Sequence, residues 1–306
     1  YGENIDLIEI ATTGNATDFG NAPFRVVYPT GCSSSVRAVF VGGEESGGSP
    51  GYNEMNYVIF SSQGGATDFG KLDTIKAYGA MVTGNNTRAV INSGYGGAGY
   101  GFQDYIEIAT TGNGTFWGDA VQSGYRWYGG DCASPTRGMF MGGTQSVTGV
   151  FDESQGNTAT TANDGTKYMR YVTFSTFGSS DHFGELSWVS RYGSGTSSST
   201  RGICVQGSTV GAPVSTNSID YITIASTGNG TDFGDLTAER MITTSTGSQT
   251  RGVISGGQLK PSPNATQNLM DYITIATTGN ATDFGDMTAA RFGPGSASDC
   301  HGGIAQ

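Results

Sequence analysis

The basic residues of this sequence recur at one position of a repeated pattern. Each opens a short apolar run that often ends in Gly-Gly, as in "RAVFVGG" and "RGVISGG". The recurring residues are Arg37, Arg88, Arg137, Arg201 and Arg251, with His301 in the sixth place. One basic residue per structural unit forms a ring, and such a ring attracts anions or acidic sugars. A structural role is the stronger prediction, because partly buried arginines need acidic partners such as Asp232 or Asp283.

Residues suited to metal binding or catalysis are few. The only histidines are His182 and His301, too few for a copper centre. The four cysteines contain no CxxC pair, so the spacing of a zinc site is missing and we expect mostly free thiols. These cysteines are Cys32, Cys132, Cys204 and Cys300. We therefore predict no enzyme activity, no cofactor and no metal.

Composition excludes several classes of partner. The chain has 306 residues, of which 51 are Gly, and a net charge of −11. This acidity argues against nucleic acid, which requires a basic surface. No apolar run approaches the roughly 20 residues of a membrane helix, so we expect no membrane insertion. Short runs of Ile, Val, Tyr and Phe between Gly, Ser, Thr and Asn indicate many short strands joined by tight turns.

The elements that position these residues are copies of one unit. The aromatic residue of "DFG" marks each copy, at intervals of about 50 residues with one interval of 66. The six markers are Phe19, Phe69, Trp117, Phe183, Phe233 and Phe284. The longer interval contains an insertion at about 144–168.

Each repeat unit is predicted to form four strands. "DYITIA" alternates apolar and polar residues, "TTGN" has turn chemistry, and "ATDFGDL" completes a hairpin. A third strand is expected around an aromatic-Gly pair such as Tyr128-Gly129, and a fourth in the "RGVISGG" run. This period predicts an all-β, six-bladed β-propeller with four-stranded blades, formed by residues 1–306 as a single domain. The terminal strands are complementary, so we expect them to share a blade and close the ring.

The unit resembles the kelch repeat along essentially the whole chain. The resemblance rests on the Gly-Gly after an apolar strand, the Tyr of "DYITIA", the aromatic of "DFG" at the kelch Trp position, and "LTAER" and "MTAAR". The sequence departs from kelch in its "TGNATDFGDL" turn and in using Phe at five of the six Trp positions. This variant is similar to kelch-like repeats in structural proteins of marine bacteriophages. The resemblance implies a virion component such as a tail fibre, an adhesin or a decoration protein.

Residues that interrupt the repeat are the candidates for recognition, because variable loops on a rigid scaffold carry binding. One group lies in the Gly- and Tyr-rich segment "GYGGAGYGF", a second contains Trp127, and a third lies in the insertion. The candidates are Tyr95, Tyr100, Phe102, Trp127, Phe151, Asp152 and Glu153. Their alternative roles are flexible connection and core packing.

The turn asparagines Asn15, Asn113, Asn229 and Asn280 form N-x-T sequons. Repetition at one structural position favours a role in the turn over glycosylation.

The functional prediction is a non-enzymatic binding or structural propeller in a virion. Its expected partners are other virion or fibre subunits, or a glycan or protein of the host surface, and it could also form a homo-oligomer. One alternative is an extracellular fibre or surface-layer subunit that assembles with itself. Another is a carbohydrate-binding or sialidase-like propeller. However, in "STGNGTDF" Gly228 stands where a sialidase Asp-box has its aspartate.

Overall fold

The repeated units fold into antiparallel sheets made of strands that are consecutive in the chain. The structure is a computed structural model and describes residues 3–44, 51–73, 75, 79–92, 94, 101–119, 125–146, 164–208, 214–260 and 265–300. The first sheet, here called the terminal hairpin, has two strands, β1 (Asn4–Leu7) and β2 (Thr17–Asn21).

Five further sheets, called blades A to E, are each built on four antiparallel strands, the last two of one repeat unit and the first two of the next. Blade A has β3 (Thr30–Ser33), β4 (Arg37–Val41), β5 (Glu54–Ile59) and β6 (Thr67–Lys71). Blade B has β7 (Val82–Gly84), β8 (Arg88–Ile91), β9 (Phe102–Glu107) and β10 (Thr115–Asp119).

Blade C is larger because the insertion falls within it. Its strands are β11 (Tyr125–Trp127), β12 (Gly130–Ala133), β13 (Arg137–Met141), β14 (Thr144–Ser146), β15 (Asp164–Thr173) and β16 (Asp181–Ser190). The order β12-β13-β15-β16 matches the other blades, and β11 and β14 extend the sheet beside the start of β15.

The last two blades return to the simple pattern. Blade D has β17 (Ser194–Ser197), β18 (Arg201–Val205), β19 (Ser218–Thr223) and β20 (Thr231–Asp235). Blade E has β21 (Thr244–Gly247), β22 (Arg251–Ser255), β23 (Leu269–Thr274) and β24 (Thr282–Asp286).

The first strand of each blade lies next to the central axis, where side-chain hydrogen bonds join neighbouring strands. Ser197 Oγ of β17 donates to the carbonyl of Ala133 in β12, at 2.7 Å. Ser298 Oγ donates to the Gly247 carbonyl at 2.8 Å, and Ser33 Oγ donates to the Ser298 carbonyl at 2.7 Å. Residues 294–298 therefore take the sixth place around the axis. The fold is a β-propeller, as the repeat predicted.

A second ring of contacts joins the blades farther from the axis, and it explains the repeated "TGN" turn. In blade E the turn before β24 lies against β20, where Gly279 N–H donates to the Phe233 carbonyl at 2.8 Å. In the terminal hairpin Gly14 N–H donates to the Phe284 carbonyl at 2.8 Å. Gly64 of blade A donates in turn to Phe19 at 3.1 Å. The terminal hairpin thus lies between blades E and A.

The glycine of "DFG" is required by this close contact. Gly234 has φ +143°, which favours glycine, and a Cβ there would lie 2.5 Å from the carbonyl oxygen of Gly279 in the next blade. Gly285 has φ +141° and the same relation to Gly14 of the terminal hairpin.

The acidic residue before the repeated tyrosine is buried between blades. Asp271 accepts hydrogen bonds from Thr237 N at 3.1 Å and Thr237 Oγ1 at 2.7 Å, and it pairs with the fully buried Arg240 at 2.6 Å. The "LTAER" segment therefore provides a cap and a cation for the aspartate of the following blade. "MTAAR" does the same for Asp6 through Thr288 and Arg291.

The six marker aromatics of the "DFG" motif are all buried. The predicted six four-stranded blades are not all seen, because the described residues form five such blades and a two-stranded sheet. The predicted third strand was placed slightly wrongly, because Tyr128 and Gly129 precede β12 and lie outside it. Within the described ranges there is no α-helix, and so none that is long and apolar enough to cross a membrane.

Candidate binding site at the axial channel

The strand directions give the propeller two distinct faces. The first strand of each blade begins beside the end of the second, as in the pairs Thr30–Val41 and Thr244–Ser255. We call this side the loop face, because the chain leaves the second strand here to reach the third. The opposite side, where hairpins such as 248–250 join the first two strands, is the turn face.

A channel follows the axis from the loop face. Its volume is about 100 Å³, and all six units contribute to its wall. The lining segments are 28–31, 79–80, 128–129 with 131, 193–195, 242–245 and 293–296. Hydroxyl groups dominate the polar part of this wall, and among the described lining residues Asp131 carries the one ionisable carboxylate.

The mouth of the channel is formed by a ring of left-handed backbone positions. Tyr28, Tyr128, Tyr192 and Ile242 have φ of +59°, +55°, +57° and +56°, which bulky residues rarely adopt. Glycine occupies the other two places, Gly79 and Gly293. Strain of this kind costs on the order of 1–3 kcal/mol per residue and persists only where the surroundings enforce it.

Backbone hydrogen bonds between units enforce the strained ring. Tyr128 N–H donates to the Gly79 carbonyl at 2.8 Å, and Gly193 N–H donates to the Tyr128 carbonyl at 3.0 Å. Ile242 N–H donates to the Tyr192 carbonyl at 2.9 Å, and Gly293 N–H donates to the Ile242 carbonyl at 2.8 Å. These bonds join five of the six units of the mouth into one hydrogen-bonded series.

Aromatic side chains cluster on this ring. The Tyr28 and Tyr128 rings meet edge to face at 5.1 Å, although blade B stands between their blades. This contact is possible because blade B contributes Gly79, where a Cβ would overlap the Tyr128 ring. Tyr192 lies 5.0 Å from Tyr128 and Phe292 lies 5.9 Å from Tyr28.

Asp131 lies on β12, below the aromatic mouth. Its Oδ2 accepts one hydrogen bond, from Val82 N–H at 3.0 Å. Loss of water around the carboxyl raises the pKa of Asp131 to about 7, although the Val82 hydrogen bond lowers it. No cation among the described residues is paired with it.

The hydroxyls of the channel wall bond mainly to one another. Ser194 Oγ lies 2.8 Å from Thr243 Oγ1 and 2.6 Å from Ser245 Oγ. Thr244 Oγ1 donates to Ser296 Oγ at 2.5 Å, and that hydroxyl donates to the Ser245 carbonyl at 2.9 Å. These partnerships leave the wall polar without leaving its hydroxyls in need of a ligand.

Cys32, Cys132 and Cys204 lie near Asp131. All four cysteines of the chain are free, as predicted. Burial raises the pKa of the Cys32 and Cys132 thiols, and the nearby Asp131 charge raises it further. Burial is also the main cause of the raised pKa of Cys204. These thiols are therefore protonated and unreactive at neutral pH.

The predicted basic ring lies at the turn face, on the opposite side from the aromatic mouth. Arg201 Nη1 donates to the carbonyls of Ile275 and Ala276 in the next blade, both at 2.9 Å. Each guanidinium also lies over the repeated tyrosine of its own blade, at 4.2 to 4.9 Å from the ring centroid. The five arginines in this position are Arg37, Arg88, Arg137, Arg201 and Arg251.

The arginines join neighbouring blades, but through partners other than those we expected. They bind backbone carbonyls and aromatic faces, whereas Asp232 and Asp283 were the predicted partners. Arg88 adds an ion pair with Glu107 of its own blade. His301, the sixth member of the predicted ring, lies outside the described residues.

The predicted recognition residues fall into three groups. Phe102 opens β9, is 41% exposed and packs edge-on against Phe116 at 5.7 Å. Trp127 is buried in β11, so it is not the exposed binding platform that we expected. The others, Tyr95, Tyr100, Phe151, Asp152 and Glu153, lie outside the described residues.

The turn asparagines act as bridges between blades. Asn280 Oδ1 accepts the Asp235 N–H at 3.1 Å, and Asn15 Oδ1 accepts the Asp286 N–H at 3.0 Å. Asn113 and Asn229 make the equivalent bonds to Lys71 and Glu185. Repetition of the sequon therefore has a structural cause.

Our reading of the sequence missed Asp131 and the tyrosines of the mouth. A signal for Asp131 was present, because "GDCAS" has an aspartate where the equivalent "TGCSS" has Gly31. No comparable signal marked Tyr28 or Tyr192, since their contacts depend on how the blades are arranged around the axis.

The fold and channel define a β-propeller with a carboxylate inside a hydroxyl-lined axis. Comparison with protein-family models gives no match, and no curated protein matches the sequence.

Proposed function

We propose that this propeller is a non-enzymatic binding and structural protein, and that it serves in a phage virion as a tail-fibre, adhesin or decoration component. Its partners are other virion subunits and a glycan or protein of the host surface. The proposal is supported mainly by the separation of structural and variable residues between the two faces.

Repeated residues at the turn face are used in contacts between blades. The arginines bind the next blade, and the turn asparagines bind the preceding one. By contrast, the second strands of blades B and C, β8 and β13, both end at the loop face, and the segments after them interrupt the repeat. Their differences in length and sequence favour recognition at this face.

The virion setting is supported by the sequence of the repeat unit, which is similar to repeats of marine phage structural proteins. A rigid disc with a variable face suits an appendage, because several copies on one particle give strong attachment from weak individual contacts.

We also infer that the terminal hairpin belongs to a sixth four-stranded blade. A cavity of about 1000 Å³ is lined by β1 and by residues 294–298, and in blade E the corresponding first and third strands have β22 between them. The chain continues beyond Cys300 with "HGGIAQ", whose sequence matches that second strand. A strand from this segment would cover the apolar residues Ile5 and Ala297 that line the cavity.

Immunogold electron microscopy tests the virion assignment. Antibodies against the purified chain are applied to virions and to virion-free material from the same source. Label at a fixed position on tails or capsids is expected. Label confined to cell-derived filaments would overturn the assignment in favour of a fibre subunit. Label on virions with saturable binding on a glycan array would identify the host ligand as a sugar.

A further inference from the structure

The axial channel contains a carboxylate with too few partners for its position. Asp131 is half-buried and accepts one hydrogen bond, from Val82, and its charge acts on the thiols of Cys32, Cys132 and Cys204. A desolvated carboxylate beside neutral thiols is stabilised by a cation. The first strands of the other blades have Gly31, Val82, Gly195 or Ser245 at this position, so the carboxylate is specific to blade C and is not required by the fold.

The size of the channel limits what can reach this carboxylate. A volume of about 100 Å³ has room for several water molecules or for a slender chain. Pockets that bind drug-sized ligands have volumes of roughly 300–1,000 Å³. The small volume therefore favours a short unbranched chain over a sugar ring at Asp131.

The aromatic mouth distinguishes an organic cation from a metal ion. Tyr28 and Tyr128 line the channel, and the faces of tyrosine rings attract ammonium groups. Calcium requires six to eight oxygen ligands, but the hydroxyls of Ser194, Thr243 and Ser245 are bonded to one another. A single carboxylate below tyrosines suits an alkylammonium group better.

We propose that the axial channel receives the side chain of a lysine from a partner protein, with the ammonium group at Asp131 and the methylene chain packed against the contacting rings of Tyr28 and Tyr128. The proposal deepens the proposed function, on which it rests, by assigning a chemistry to the loop face. It makes the channel an anchoring point for another virion subunit or a host surface protein. The ammonium is bound by charge and hydrogen bonding, and no covalent step is involved.

The Val82 amide reports directly on this site, because its N–H donates to the Asp131 carboxylate. ¹H–¹⁵N spectra of the full chain are recorded at about pH 8 during titration with Nα-acetyl-lysine N-methylamide. A saturable shift of the Val82 amide is expected, with smaller shifts at Gly195 and Tyr128. The Nε-acetylated form of the same probe has no charge and should give no saturable shift.

Two substitutions separate the channel carboxylate from general charge effects. Asp131→Ser introduces the residue found at Ser245 and Ser296, and it should weaken binding at least tenfold while leaving the fold unchanged. Asp119→Asn removes an exposed carboxylate of blade B and should leave the affinity as in the native chain. Equal binding to the native chain and to Asp131→Ser would overturn the proposal.

Further probes distinguish other sources of the cation. n-Butylammonium should bind more weakly than the lysine probe, because it lacks the backbone that contacts the mouth. Preferential saturation of the Val82 shift by calcium chloride would overturn the lysine assignment in favour of a metal site. Because these titrations use purified protein, their failure leaves the virion proposal intact, and failure of the immunogold labelling leaves the channel chemistry intact.

Discussion

At the scale of single residues, Asp131 links the chemistry of the channel to the stability of the fold. Its pKa is about 7 in the folded chain against an ordinary value of 3.8, so the folded state binds a proton more tightly than the unfolded state. The contribution to stability is complete below about pH 4 and is lost as the pH rises to 7. A shift of about three pH units corresponds to at most about 4 kcal/mol.

We therefore predict that Asp131→Asn is more stable than the native chain at pH 8 and loses the difference near pH 4. The measurement is urea unfolding of both proteins from pH 4 to pH 8. Parallel stability curves over this range would show that the carboxyl is solvated in the folded chain.

Gly234 and Gly279 provide a second residue-scale prediction, because they separate backbone strain from close contact. Both have positive φ, +143° and +154°, but a Cβ at Gly234 lies 2.5 Å from the Gly279 carbonyl, whereas Gly279 has open space around it. Gly279→Ala should cost on the order of 1–3 kcal/mol from strain alone. Gly234→Ala should cost roughly 1–3 kcal/mol more, because the blades must move apart.

Urea unfolding at one pH compares the two alanine variants. Equal losses of unfolding free energy would mean that a Cβ at Gly234 is accommodated between blades D and E at no additional cost, contrary to the close contact described above.

At the scale of elements, the ion pair between Arg240 and Asp271 joins the "LTAER" segment to the next blade, with both side chains buried. Arg240 is fully buried, whereas the equivalent Arg291, paired with Asp6, is 22% exposed. Removal of one partner from a buried pair costs about 3–5 kcal/mol, because the other charge remains buried.

Arg240→Met should therefore lower the free energy of unfolding by about 3–5 kcal/mol, and Arg291→Met by clearly less. The double variant Arg240→Met/Asp271→Leu should recover much of the loss, because no unpaired charge remains. Thermal and urea unfolding of the three variants test this order. A double variant no better than Arg240→Met would assign the loss to packing and not to charge.

The strands and their contacts also show which features could be predicted from the sequence and which could not. Period-2 segments such as "DYITIA" and the "TGN" turn made the strands and their pairing predictable, because both depend on neighbours in the chain. The role of Arg201 was only partly predictable. Its position in the unit indicated a contact between blades, but the carbonyls of Ile275 and Ala276 leave no trace in side-chain types. The Tyr28–Tyr128 contact joins units that are not adjacent, so no local pattern encodes it.

At the scale of the whole molecule, ring closure depends on the terminal hairpin. Its contacts to blade E include Arg251 Nη1, which donates to the carbonyls of Ile10 and Ala11 at 2.9 and 3.0 Å. If "HGGIAQ" supplies the second strand of a sixth blade, removal of everything after Cys300 leaves the edge of β1 without a partner. That truncated chain should unfold at a lower temperature and associate through the open edge.

Sedimentation velocity and thermal unfolding of the native and truncated chains measure this effect. As a matched control, the last six residues are replaced by a Gly/Ser segment of the same length. Recovery of native stability by the Gly/Ser segment would contradict a role for this strand in the sixth blade.

The insertion in blade C provides the last prediction, because the structure shows how it can be removed without opening the propeller. Strands β14 and β15 form an antiparallel ladder in which Thr144 pairs with Gly165 and Gln145 with Asp164. The ends of this ladder are adjacent, so an Asn-Gly turn between Gln145 and Asp164 can replace residues 146–163. Blade C keeps β12, β13, β15 and β16, and the free energy of unfolding should change by less than about 1 kcal/mol.

If the loop face carries recognition, the same variant should lose attachment to host cells or assembly into virions. A shortened chain that is equally stable and binds unchanged would move the contact surface to another part of the loop face, and a strongly destabilised one would show that the insertion is part of the core.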